Sequence, residues 1–205
     1  SKGTDDRSQN VDSGSKEQGT YGFFPFNEGS TGKHANTYNY GFGAKLQFDF
    51  TLTDDGQVLD NKGSKVPIQF FFSGDDDVWV YIDNELALDV GGAHGKASGL
   101  LEFGPKKDGK NTYTAYVSKV KAGNKDQSYT SGANKSVTYL GSQISFNYQS
   151  EEKTLTPGKH TLRLFYMERG MWESNMAIAF NFPDHNELQV EKKVDIGDVK
   201  DPEFA

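Results

Sequence analysis

The stretch Phe70-Phe71-Phe72-Ser73-Gly74-Asp75-Asp76-Asp77-Val78-Trp79-Val80-Tyr81-Ile82-Asp83 sets three consecutive carboxylates between two segments of aromatic and branched residues. Such side chains suit a pleated, packed surface, so 70–72 and 78–82 read as core strands and the acids as the corner between them. Asp and Gly are ordinary turn residues, and a solvated turn is the plain reading of one acidic corner. Three adjacent like charges repel, however, and gain nothing from packing. A corner that keeps them is a candidate cation site, where hard carboxylate oxygens favour calcium over zinc or copper. An EF-hand is excluded, because Val80 stands at the required glycine position and the segment runs on as a strand.

Outward from this corner the chain reads as short strands. Over 42–52, Phe42, Ala44, Leu46, Phe48, Phe50 and Leu52 fall on one face, and Lys45, Gln47, Asp49 and Thr51 on the other. That alternation predicts a half-buried antiparallel strand, closed by the turn Asp54-Asp55-Gly56. Asp83-Asn84-Glu85 predicts a tight hairpin turn, since Asn tolerates positive φ, and 86–90 returns as a strand. Gly91-Gly92-Ala93-His94-Gly95 lacks the strand and helix context of a phosphate cradle, so nucleotide binding is not expected. Further strands are predicted over 143–148, 160–166 and 176–182. Residues 104–140, rich in Lys, Gly, Asn, Ser and Thr, read as an insertion projecting from the body, with one weak strand over 113–120. Trp79 is expected in the core because its neighbours are apolar.

Composition narrows the class. The chain has 205 residues, of which fifteen are Phe and ten are Tyr, with no long amphipathic helical pattern. One all-β domain fits that supply of core residues. A net charge of −7 argues against a nucleic-acid surface, and no stretch approaches a membrane span. The absence of cysteine excludes disulfides and thiolate metal sites. Residues 1–20 are polar and predict a flexible N-terminal segment, 21–183 the β domain, and 184–205 a linker to a following module.

Four separated segments carry a family likeness. They are Gly22-Phe23-Phe24-Pro25-Phe26, the run from Gly74 to Asp83, Asp89-Val90-Gly91-Gly92-Ala93-His94-Gly95, and Phe165-Tyr166-Met167-Glu168-Arg169 with Ser174-Asn175. In order and over residues 21–182, they resemble a fibro-slime domain. That family sits with the β-barrel carbohydrate-binding modules named after anthrax protective antigen, which include the lectins of yeast flocculins and epithelial adhesins. The resemblance implies a two-sheet antiparallel β-sandwich or barrel of that lectin kind. It also implies a calcium site in which two successive aspartates, joined by a cis peptide, hold the ion that holds sugar hydroxyls. Carried onto this chain, the metal ligands are Asp75, Asp76 and Glu168, with main-chain carbonyls from Gly170 and Trp172. Asp77 stands where the lectin pattern has Gly, and Glu168 where it has Asn.

The expected function is therefore a calcium-dependent, carbohydrate-binding adhesin module. It is placed outside the cell on a bacterial surface or wall, as a monomeric module of a longer chain with a glycan or glycosylated surface partner. Asp75, Asp76, Asp77, Trp172 and Asn175 would face the ligand, Trp172 by stacking, with His94 and Arg169 as secondary candidates. The alternative is a non-catalytic structural or protein-binding domain of a surface fibre, in which the acids brace the fold. Enzyme activity is not expected, since nothing fixes a carboxylate pair at glycosidase spacing.

Overall fold

The structure, a computed structural model, describes residues 42–92, 95–120, 129–168 and 175–183. The predicted segments 1–20 and 184–205, and the aromatic cluster at 22–26, lie outside the described residues. Within them the chain is all-β, antiparallel and without a helix, and its main sheets form a β-sandwich.

The four-stranded sheet has the order β1 (Gly43–Leu52), β12 (Gly158–Met167), β5 (Asp77–Ile82), β6 (Glu85–Asp89). The larger sheet runs β13 (Asn175–Phe180), β4 (Gln69–Asp75), β7 (Ala97–Lys107), β8 (Lys110–Val117), β10 (Ser142–Gln149), β9 (Thr130–Tyr139). A short β11 (Lys153–Leu155) also pairs with β8, and β2 (Gln57–Leu59) pairs with β3 (Lys65–Pro67) as a separate ribbon. Alternation decides which face each side chain takes. Phe48, Phe50 and Leu52, Val78, Val80 and Ile82, and Leu162, Leu164 and Tyr166 turn inward from the smaller sheet. Phe70, Phe72, Leu101, Phe103, Ala115 and Val117 meet them from the larger one. Phe182 stacks on Phe50 with ring centres 4.3 Å apart and closes the core beside Phe103. Each such ring contributes about 2–3 kcal/mol of burial.

The expected projecting insertion over 104–140 is corrected. Its first part extends β7, and β8 then pairs along β7 from Gly99↔Val117 to Gly104↔Thr112 with Tyr113, Ala115 and Val117 in the core. The hairpin of β9 and β10 continues the larger sheet beyond β8 and folds back over its outer face. There Phe146, Ile144, Val137 and Tyr139 form a second apolar cluster with Phe71 and Leu100. Phe71 and Tyr139 approach to 4.8 Å, and Lys135 pairs with Glu102. The apolar side chains alternating through these polar strands need cover, and the outer face of the sheet supplies it.

Three crossings from one sheet to the other gather at one end of the sandwich. They join the described strand ends Asp75 and Asp77 of β4 and β5, Asp89 and Ala97 of β6 and β7, and Met167 and Asn175 of β12 and β13. Every acidic candidate of the sequence lies at this end.

Candidate functional site

The first crossing is the acidic corner itself. Asp75 ends β4, Asp77 begins β5, and the peptide between Asp75 and Asp76 is cis, as the resemblance implied. Gly74 precedes them because nothing larger fits: a Cβ there would lie 2.1 Å from the main-chain oxygen of Asn175 on β13. That contact brings β13 against the corner, where the N–H of Asn175 donates to Asp75 Oδ1 at 2.8 Å. Asn175 thus contributes its main chain, which ties the two strand starts together.

Glu168 follows the last residue of β12. It is 2 % exposed, and its N–H donates to the carbonyl of Phe42 at 2.9 Å. The buried Tyr166 hydroxyl joins the two acidic segments: it lies 2.7 Å from the Asp75 carbonyl and 3.1 Å from Glu168 Oε2. Asp75 and Glu168, separated by ninety-odd positions in sequence, are therefore neighbours across one phenol.

Asp77 takes another direction. Its side chain is 2 % exposed, and Oδ1 accepts the N–H of Gly92 at 2.5 Å. Its companion is Asp89 at the end of β6, whose Oδ1 accepts the N–H of Gly91 at 2.7 Å. Burial raises the Asp89 carboxyl above its ordinary value; the Gly91 N–H opposes that rise, and the charge of Asp77 adds to it. The N–H of Asp89 in turn donates to Tyr129 Oη at 3.1 Å, and burial pushes that phenol up to about 12. Asp77 and Asp89 form a second acidic pair holding the 91–92 turn. Asp89 was not singled out from the sequence as a site residue, because a lone aspartate at a strand end carries no signal until the fold sets Asp77 near it.

The remaining candidates divide simply. His94, Arg169, Gly170 and Trp172 lie outside the described residues. Trp79 is corrected: it is half-buried and sits on the outer face of β5, out of register with the core residues Val78 and Val80. The two-residue period itself carries that signal.

Calcium, which the resemblance implies, matches these groups in kind, since carboxylates and main-chain carbonyls are hard oxygen donors. Among the described residues no three His, Asp or Glu side chains gather closely enough to hold an ion. The resemblance would assign it to Asp75, Asp76 and Glu168, which in this geometry do not gather closely enough to hold an ion by themselves. The ion would supply positive charge between the two acidic segments.

Fold and site together define an all-β sandwich with an acid-rich end. No family model and no solved structure matches the chain. Relatives are found in Dictyostelium discoideum. Protein psiP is 40% identical over 73 residues, which is 36% of this chain and 8% of psiP. Protein psiB is 44% identical over 68 residues, 33% of this chain and 10% of psiB. Protein psiG is 36% identical over 102 residues, 48% of this chain and 13% of psiG. The chain spans about a tenth of the length of these relatives. They are proteins of a eukaryote, and that overturns the expected bacterial adhesin function and bacterial surface location.

Proposed function

We propose that the acid-rich end of the sandwich binds calcium, and that the chain is a non-catalytic, fibro-slime-type module of a longer protein. The observation that carries this reading is the Tyr166 hydroxyl, within hydrogen-bond reach of both the Asp75 carbonyl and Glu168. It brings oxygen donors from two distant segments to one place. A cation bridging them would offset the repulsion that their accumulation creates. The main-chain N–H of Asn175 orients Asp75 without consuming both of its carboxylate oxygens.

Isothermal titration calorimetry with calcium tests the proposal. Wild type is expected to bind with a Kd of about 10⁻⁴–10⁻³ M, the range of extracellular calcium modules. Asp76→Ala is expected to bind at least tenfold more weakly. Absence of calcium binding in the wild type refutes the reading, as does equal binding by Asp76→Ala.

A further inference from the structure

The outer face of the four-stranded sheet holds a pocket of about 440 Å³ built from residues that the acidic end does not use. Trp79, Tyr81, Asn84, Arg163 and Phe165 line it. Sheet register explains the grouping: Arg163 pairs with Tyr81 and Phe165 with Trp79, each alternating with core residues. The rings of Tyr81 and Phe165 meet at 88° with centres 5.7 Å apart, forming an aromatic corner. Phe165 is 37% exposed although it is a large apolar residue.

The polar groups of the pocket are concentrated. Arg163 Nε donates to Gln47 Oε1 at 2.9 Å, and Nη1 donates to Asn84 Oδ1 at 2.5 Å. A guanidinium only donates, so both contacts fix amide oxygens toward it and leave the Asn84 NH₂ as a further donor. Both partners are neutral, and they hold the guanidinium in place, while its charge also acts on Asp83. Lys45 stands opposite Phe165 in the register and adds a second positive side chain on this face. Three acids border this face: Asp49 bonds Thr161 Oγ1, Asp83 bonds His160 and the Thr161 N–H while its charge also acts on Arg163, and Asp89, opposite Trp79, bonds the Gly91 N–H. The lining, mostly aromatic with a few fixed polar groups, is of the kind found in small-molecule sites, in a shallow depression open to solvent.

We propose that this pocket binds a small aromatic carboxylate. The ring lies against Phe165, Tyr81 and Trp79, and the carboxylate accepts from Arg163 in the bidentate manner that guanidinium favours. The charge selects an anion. Donors predominate among the polar groups, so a group that only accepts is matched better than a hydroxylated ring, whose own O–H groups need acceptors. The site does not depend on the calcium reading, because none of its residues belongs to the acidic end.

An NMR titration of the isotope-labelled protein in EDTA tests it, reading the Trp79 indole and Phe165 ring signals. The probes are benzoate, benzyl alcohol, acetate and glucuronate. Benzoate is expected to shift both signals with a Kd of about 1 mM, at least tenfold tighter than benzyl alcohol, acetate or glucuronate. Arg163→Gln is expected to abolish the preference over benzyl alcohol, and Phe165→Ala to weaken benzoate at least fivefold. The second variant changes an exposed side chain and guards against a folding defect in the first. The proposal is overturned if benzoate leaves these signals unmoved or if benzyl alcohol binds equally well. Glucuronate binding as tightly as benzoate, or undiminished benzoate binding in either variant, overturns it as well.

Discussion

Strand β5 carries an aspartate near each end, and the two ends treat charge in opposite ways. At one end Asp83 and Asn84 form the hairpin turn, and Asp83 Oδ2 lies 2.5 Å from His160 Nδ1. His160 Nε2 faces the carbonyl of Thr156 at 2.7 Å; a carbonyl only accepts, so that nitrogen carries hydrogen. The His160 ring is buried and braces the hairpin turn against the segment before β12. Burial works to raise the Asp83 carboxyl, but the hydrogen bonds from His160 and Thr161, with the charges of His160 and Arg163, hold it below its ordinary value. At the other end Asp77 sits near Asp89, and the Asp89 carboxyl is raised. One end matches its charge with a base from its own chain, and the other gathers acids from three crossings. The first is a structural tie, and the second is the end proposed to take up a cation.

The largest effect should come from removing the tie. His160→Ala opens a cavity beside Phe50 and deletes two hydrogen bonds, with an expected loss of about 3 kcal/mol in urea unfolding. A loss below 1 kcal/mol would show that the closed end is not held by this residue. Gly74→Ala acts at the acid end by pushing β13 away from Asp75, with an expected cost of about 2 kcal/mol. It should also weaken calcium binding, which His160→Ala should not.

Two charge-neutralising variants have smaller effects of opposite sign, which sharpens the contrast. The depressed Asp83 carboxyl contributes stability that is present above the unfolded value of 3.8 and lost as pH falls through the lower folded value. Asp83→Asn should therefore destabilise at pH 7 by at most about 1 kcal/mol, because the side chain is exposed, and by less as pH falls below 3.8. The raised Asp89 carboxyl contributes stability that is present below 3.8 and lost as pH rises through its higher folded value. Asp89→Asn keeps an acceptor for Gly91 and should stabilise at pH 7 by less than about 1 kcal/mol, with no gain near pH 3. Thermal melts of both variants at the two pH values decide it, and equal signs at pH 7 would break the comparison.

Much of the scaffold was legible because period-two alternation is a local signal. Phe48, Phe50 and Leu52 face inward as the pattern of β1 requires, and Asp83 and Asn84 adopt φ of 49° and 77° as a tight turn requires. The acidic corner was also legible, since three carboxylates between core strands stand out without any structure. The 104–140 region was misread because its strands carry polar residues on their outward positions. Asn111 and Thr112 are themselves buried, with Asn111 Nδ2 donating to the Thr53 carbonyl at 2.8 Å. Trp79 was misplaced because its apolar neighbours outweighed its parity. The coupling of Asp77 to Asp89, and the Arg163 pocket, depend on cross-strand pairing that no local pattern encodes.

The most direct test of the account is the calcium dependence of thermal unfolding in wild type, Asp76→Asn and Asp83→Asn. With calcium at about 100 times its Kd, ligand linkage predicts about 2.7 kcal/mol of stabilisation, a rise of several degrees in Tm. Wild type and Asp83→Asn should show that rise in full, and Asp76→Asn should lose most of it. An unmoved wild-type Tm, or the same rise in Asp76→Asn, would contradict the claim that the acid-rich end holds the ion.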